Sequence, residues 1–171
     1  MKYIYQINNF NKIKNKLVKL LEEATFTSLE NNIEKISKTD FHISKDINRK
    51  YVSFLQDEIL NNFSKKFCVD NNFKSLTIEN IWFQIYKYGD FHALHTHLNT
   101  NFTNIIYVSL PNKKIKTNVY SLQRKSKSID IQEGDILTFP AFLPHESPVN
   151  TCKKDKIIVS FNSSGNIIEW V

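Results

Sequence analysis

The feature that most constrains this chain is the stretch Ile81 to His97, IWFQIYKYGDFHALHTH. It reads as a strand, a turn at Tyr88-Gly89-Asp90, and a second strand ending in His95-Thr96-His97. Successive side chains of a strand point to opposite faces. His95 and His97 are two apart, so both imidazoles project from one face. Two neutral imidazoles side by side form half of a site for a first-row transition metal.

The surroundings of that pair are strand-like. From Leu76 onward the candidate strands are 76–88, 91–97, 103–110, 115–122, 128–131, 135–139, 142–146 and 156–163. Turn signals separate them at Tyr88-Gly89-Asp90, Pro111-Asn112, Glu133-Gly134-Asp135 and Asn150 to Asp155. Many short strands at regular spacing predict a sandwich or barrel of jelly-roll type. The first 75 residues read differently. A short edge strand is expected over 3–7, and Phe10, Ile13, Leu17, Leu20 and Leu21 follow helical spacing after a cap at Asn8 or Asn9. Leu29, Ile33 and Ile36 predict a weaker second helix. Tyr51, Phe54, Leu55, Ile59, Phe63 and Phe67 predict an amphipathic helix from about Asp46 to Cys68. The expectation is one α+β domain over 1–171, with a mainly helical cover at 1–75 on a barrel at 76–171.

Composition fits a single domain with a full core: 171 residues, 41% hydrophobic, with 13 Phe and 7 Tyr. No apolar run is long enough to cross a bilayer, and the N-terminus lacks the pattern of a signal peptide. Cys68 and Cys152 sit in no metal-ligand spacing and are read as reduced thiols of an intracellular protein. The net charge is +6, yet of 23 basic residues only Arg49 and Arg124 are arginines. Phosphate-binding surfaces recruit arginine forks, and the lysines are scattered apart from Lys113-Lys114-Lys116 and Arg124-Lys125-Lys127. Nucleic acid is therefore not expected as the main partner, though the charge leaves it open.

His145, in PAFLPHESPVN, is the candidate third ligand. It follows the turn-strand unit EGDILTFP and lies between two prolines, at a strand end near a barrel mouth. Three protein ligands on one face of an octahedral ion leave three positions open, the logic of facial-triad iron sites. His92, three before His95, is expected on the opposite strand face, outside the ligand set or at the surface. His42 reads as a solvated loop histidine. An exposed His-x-His pair is common by itself; the ordered context raises its weight.

That order, WFQIYKYGDF, then HTH, IYVSLP, EGDILTFPAFLPH and DKIIVSFN, resembles the Fe(II)/2-oxoglutarate-dependent oxygenases. It is most similar to small oxygenases of phages and marine bacteria related to the prolyl-hydroxylase-like group. The resemblance covers roughly residues 80–163. It implies a double-stranded β-helix, a cupin-like jelly-roll barrel covered by the N-terminal helices. It implies Fe(II) held by His95, His97 and His145, and 2-oxoglutarate as cosubstrate. Two departures stand out. The superfamily usually has Asp or Glu where His97 stands, and Arg where Lys156 stands. Lysine can meet a carboxylate as a point charge but cannot form the bidentate fork; a solvated strand-edge lysine is the competing reading. The likeness also assigns Gln84 and Tyr86 to hydrogen bonds with the cosubstrate and Tyr107 to its distal carboxylate. Ser160 and Asn162 share the strand face of Lys156. Trp82 reads as core or pocket wall.

The implied activity is hydroxylation of a substrate C–H, with decarboxylation of 2-oxoglutarate to succinate. The substrate is unspecified: a small molecule, a peptide or a protein. The basic segment Asn112–Ser128 and the N-terminal region are expected to cover the site. The cytoplasm, or a host cytoplasm for a phage protein, is the expected location, and a homodimer stays open. Two other readings remain: a three-histidine cupin-type dioxygenase without 2-oxoglutarate, and a non-catalytic barrel that binds a partner.

Overall fold

The computed structural model describes residues 2–45, 47, 49–121 and 129–167. The strands are β1 (Tyr3–Gln6), β2 (Thr27–Glu30), β3 (Glu34–Thr39), β4 (Phe73–Tyr86), β5 (Phe91–His95), β6 (Phe102–Ser109), β7 (Asn118–Val119), β8 (Asp135–Pro140), β9 (His145–Ser147) and β10 (Lys156–Ile167). They form one curled antiparallel sheet in the order β1-β8-β6-β10-β4-β3-β5-β9-β7, with β2 hydrogen-bonded to β3. This half-barrel is a jelly roll.

β10 is its spine. It pairs with β4 through Lys156↔Tyr86, Ile158↔Gln84 and Ser160↔Trp82. On its other edge it pairs with β6 through Ile158↔Tyr107, Ser160↔Ile105 and Asn162↔Thr103. Period-two alternation sends the two sets of side chains to two faces. Phe83, Ile85, Ile106, Val108, Val159 and Phe161 form one face. They pack against Leu17 and Leu21 of α1 (Phe10–Glu22), Tyr51 and Leu55 of α2 (Lys50–Leu55), and Phe63 and Phe67 of α3 (Asn61–Asn71). Phe63 meets Phe161 edge-on at 5.6 Å between centroids; burying each such ring is worth roughly 1.5–3 kcal/mol. The opposite face, with Tyr86, Ile105, Tyr107, Leu137, Phe139 and Ile158, lines the barrel interior.

A buried carboxylate ties the helical layer to the sheet. Asp40 accepts from the guanidinium of Arg49 at 3.2 Å, from the hydroxyl of Tyr51, and from the backbone N–H of Phe83 at 2.9 Å. Arg49 also donates to the carbonyl of Ile81 at 2.7 Å. Every oxygen of this buried charge is met by a donor, the condition under which such a charge is tolerated.

Four local expectations change. Residues 27–39 form the β2–β3 hairpin rather than a helix. Leu29, Ile33 and Ile36 do fit helical spacing, but the Oδ1 of Asn31 accepts from the N–H groups of Ile33 and Glu34, closing a turn between them. The long helix starts at Lys50 and ends at Asn71, with a π-helical turn at Gln56–Leu60 between α2 and α3. The expected strand 115–122 is reduced to β7, after a 3-10 turn at Lys113–Ile115. Residues 129–131 form no strand. Residues 122–128, with Arg124, Lys125 and Lys127, lie outside the described residues, as does that part of the expected cover.

Candidate metal centre

His95 closes β5 and His145 opens β9, and the two are directly paired across the ladder. His97 follows two residues on, held in place by its N–H donating to the carbonyl of Ala141 at 3.0 Å. One nitrogen from each of the three rings lies within 4.8 Å of the others. The other nitrogen of each ring is already committed. The Nδ1–H of His95 donates to the carbonyl of Ala93 at 2.8 Å, and that of His145 to the carbonyl of Leu143 at 3.0 Å. The Nδ1–H of His97 donates to the Oδ1 of Asn162 at 2.7 Å. An acceptor on Nδ1 fixes the tautomer and leaves the Nε2 lone pair for a metal. Burial lowers the pKa of all three imidazoles, that of His145 to about 3. Three neutral, oriented nitrogen donors suit a divalent first-row ion.

The cavity behind them has a volume of about 410 Å³. Gln84, Tyr86, Ser160 and Asn162 line it, with Trp82 as wall. Tyr86 is fully buried, and Gln84 accepts from the Ser160 hydroxyl at 3.3 Å. Tyr107 is fully buried beside the cavity, and its hydroxyl accepts from the backbone N–H of Thr117 at 3.2 Å. Among the described residues, the wall hydroxyl of Thr103 is buried without a hydrogen-bond partner, and that of Thr117 has only the Tyr107 hydroxyl beside it. Unmet buried polar atoms facing a cavity call for a polar ligand.

Lys156 is no solvated strand-edge residue. Its side chain is fully buried, donates to the Ser147 hydroxyl at 2.8 Å, and sits 5.2 Å from the Tyr86 ring centroid. Among the described residues no carboxylate is bonded to it, and burial pushes its amine down to about 7. Burying a cation-forming group without a counter-ion is costly, and two cavity-lining residues, Ser147 and Tyr86, lie next to this one.

His92 corrects an expectation. It does not lie on the face opposite His95. The β5–β9 ladder carries an extra residue on β5 between His92 and His95, which turns His92 inward. Its ring stacks on that of His95 at 3.9 Å and 14°. Its Nε2 lies 3.6 Å from a carboxylate oxygen of Glu34. Burial first, and the neighbouring imidazoles second, push His92 down to about 3, so the contact is not an ion pair. Glu34, Thr103 and Thr117 all line the cavity and carry no sequence motif. His42 also reaches the cavity rim, edge-on to Phe41, which in turn packs edge-on against Trp82.

No protein-family model matches the sequence, and no curated protein matches it. Solved structures do. An oxidoreductase of the 2OG-Fe(II) oxygenase family from Burkholderia pseudomallei aligns with a TM-score of 0.77 and 8% identity, over 98% of this chain and 88% of that one. This is the 2OG-Fe(II) oxygenase fold. A prolyl hydroxylase from Trichoplax adhaerens, in complex with a hypoxia inducible factor peptide fragment, shares this oxygenase fold with a TM-score of 0.64 and 15% identity, over 95% and 83% of the two chains. HygX from Streptomyces hygroscopicus, with nickel, 2-oxoglutarate and hygromycin B bound, shares it with a TM-score of 0.66 and 9% identity, over 95% and 82%. Identities this low speak for the shared oxygenase fold; the chemistry must be argued from the residues.

Proposed function

We propose that the protein is an Fe(II)- and 2-oxoglutarate-dependent oxygenase that hydroxylates a C–H bond of a small-molecule or peptide substrate. One arrangement carries this reading. Three imidazoles with their Nδ1 atoms tied off face one another on a cavity whose lining residues Ser147 and Tyr86 lie against the buried Lys156 amine. Solved structures of the same fold hold a metal with 2-oxoglutarate in HygX and a peptide in the Trichoplax enzyme.

Each residue then has a task. His95, His97 and His145 would hold the iron. Asn162 keeps His97 in register through its Nδ1–H. Lys156 and the Thr117 hydroxyl receive the distal carboxylate, and Tyr107 holds the Thr117 backbone. Gln84, Tyr86 and Ser160 offer hydrogen bonds along the cavity. Trp82 and Phe41 exclude water at the mouth. A bound iron would supply oxygen activation, so that O2, 2-oxoglutarate and the substrate C–H would give succinate, which takes one oxygen atom, carbon dioxide, and the hydroxylated product, which takes the other.

The His97 substitution also suits a three-histidine dioxygenase that uses no 2-oxo acid. Anaerobic titration separates the two. Fe(II) followed by 2-oxoglutarate should give a weak visible charge-transfer band in the wild type and none in His95→Ala. Stoichiometric Fe(II) binding without the band would favour the second reading.

A further inference from the structure

A centre with three neutral imidazoles leaves a divalent ion with its whole charge. A carboxylate ligand would offset half of it. Among the described residues that line the cavity, the carboxylates are Glu34 and Glu146. Glu146 is turned toward the next strand, where it accepts from the Asn118 amide and the Tyr120 hydroxyl. Glu34 is turned toward the histidines. One of its oxygens accepts from the Asn31 amide at 3.2 Å, and the other lies 3.6 Å from His92. Its side chain is only 17% exposed.

The backbone is arranged to bring this carboxylate near the ligands. β3 and β5 pair with Glu34 directly opposite His92. The extra residue in β5 then turns the His92 ring onto that of His95 at 3.9 Å. A bulge interrupts the ladder, and its usual role is to re-aim a side chain. The result is a short, solvent-poor line of groups: Glu34 carboxylate, His92 ring, His95 ring. Charges so shielded from water interact over longer distances than surface charges do.

We propose that Glu34, directly opposite His92 on the β3–β5 ladder, supplies from outside the ligand set the negative charge that the three-imidazole centre lacks. The pair is a positioning and charge-compensating element rather than a ligand. It favours a divalent ion over none, and Fe(III) over Fe(II), because attraction grows with the charge of the ion. His92 holds the His95 plane by stacking and stands between that ring and the carboxylate, which Asn31 anchors.

This inference rests on the metal-centre reading, and the test keeps the two apart. Ni(II), an air-stable probe, is titrated into the full chain as wild type, Glu34→Gln, Glu34→Asp and His95→Ala. Glu34→Gln keeps the shape and the bond to Asn31 but removes the charge. It should weaken Ni(II) binding roughly tenfold, the lower end of what losing an outer partner of a metal ligand costs. It should also shift the Fe(III)/Fe(II) midpoint potential to more positive values, while Glu34→Asp recovers part of both. Equal Ni(II) affinity and potential in wild type and Glu34→Gln would overturn the inference and leave the centre standing. Equal losses in Glu34→Gln and Glu34→Asp, tracking a lower melting temperature, would make Glu34 a purely structural brace and also overturn it. Wild type that binds no more Ni(II) than His95→Ala would remove the centre and the inference together.

Discussion

The imidazole of His97 and the side-chain amide of Asn162 meet at 2.7 Å although 65 positions separate them in sequence. The bond joins the end of the His-x-His stretch to the spine of the sheet. Asn162→Ala should therefore free the His97 ring and lower Ni(II) affinity by roughly 10- to 100-fold, with the melting temperature nearly unchanged. Calorimetric titration of both proteins checks it.

Lys156 should make the ligand-free protein more stable as pH rises. Its folded-state amine sits at about 7 against an ordinary 10.5. Between those values the unfolded chain holds the proton and the folded chain does not, so unfolding grows less favourable with increasing pH. Below about pH 7 both states are protonated and the full cost of burying the charge is present. Lys156→Met should then stabilise the ligand-free protein at pH 6 by on the order of 4 kcal/mol. Urea unfolding at pH 6 and pH 9 reads this directly.

The same amine sets an expectation for 2-oxoglutarate. Binding of its distal carboxylate should take up a proton above about pH 7, where Lys156 is neutral in the free protein, so affinity should fall as pH rises. Lys156→Ala should lose roughly 2–5 kcal/mol of cosubstrate affinity, the range for breaking a buried charge pair, with Fe(II) binding intact. Titrations in buffers of different ionisation enthalpy count the proton. Wild-type affinity in Lys156→Ala would mean that another cation holds the acid.

Two glycines with left-handed backbone should differ in tolerance. Gly134 has φ +85°, and a Cβ there would sit 2.8 Å from the Phe10 ring. Gly89 has φ +84° but open space around the added carbon. Gly89→Ala should cost about 1–2 kcal/mol from backbone strain alone, and Gly134→Ala about 1–3 kcal/mol more from overpacking against α1. Denaturant midpoints of the two variants give the difference.

Asp40 should be the most sensitive buried charge. Asp40→Ala strands the Arg49 guanidinium and the Phe83 N–H, which now donate to it. A loss of about 3–5 kcal/mol is expected, measured as a drop in melting temperature.

Much of this arrangement was legible in the residue order. Strand alternation places His95 and His97 together, and the prolines flanking His145 mark a strand end. Ser160 and Asn162 both line the cavity, as two positions apart on one strand should. What stayed hidden depended on single-residue irregularities. One extra residue in β5 reverses the side of His92, and no composition signal marks it. Glu34 escaped because Leu29, Ile33 and Ile36 satisfy the helical period as well as a hairpin does; the deciding Asn31 turn is a side-chain bond, not a pattern. For Asn162, alternation gives the strand face and no partner. Its bond to His97 needs the three-dimensional closure of β5 onto β10.

The spine strand has one more consequence. Asn162, which bonds the His97 ring, and Lys156, which bonds Ser147, stand on the same rod of extended backbone, six positions apart. That rod is graduated in steps of about 6.6 Å for every pair of residues facing the cavity, and neighbours on both edges clamp it. A molecule lying between the two ends would meet that spacing, and only the side chains at the ends can be exchanged without re-registering both ladders.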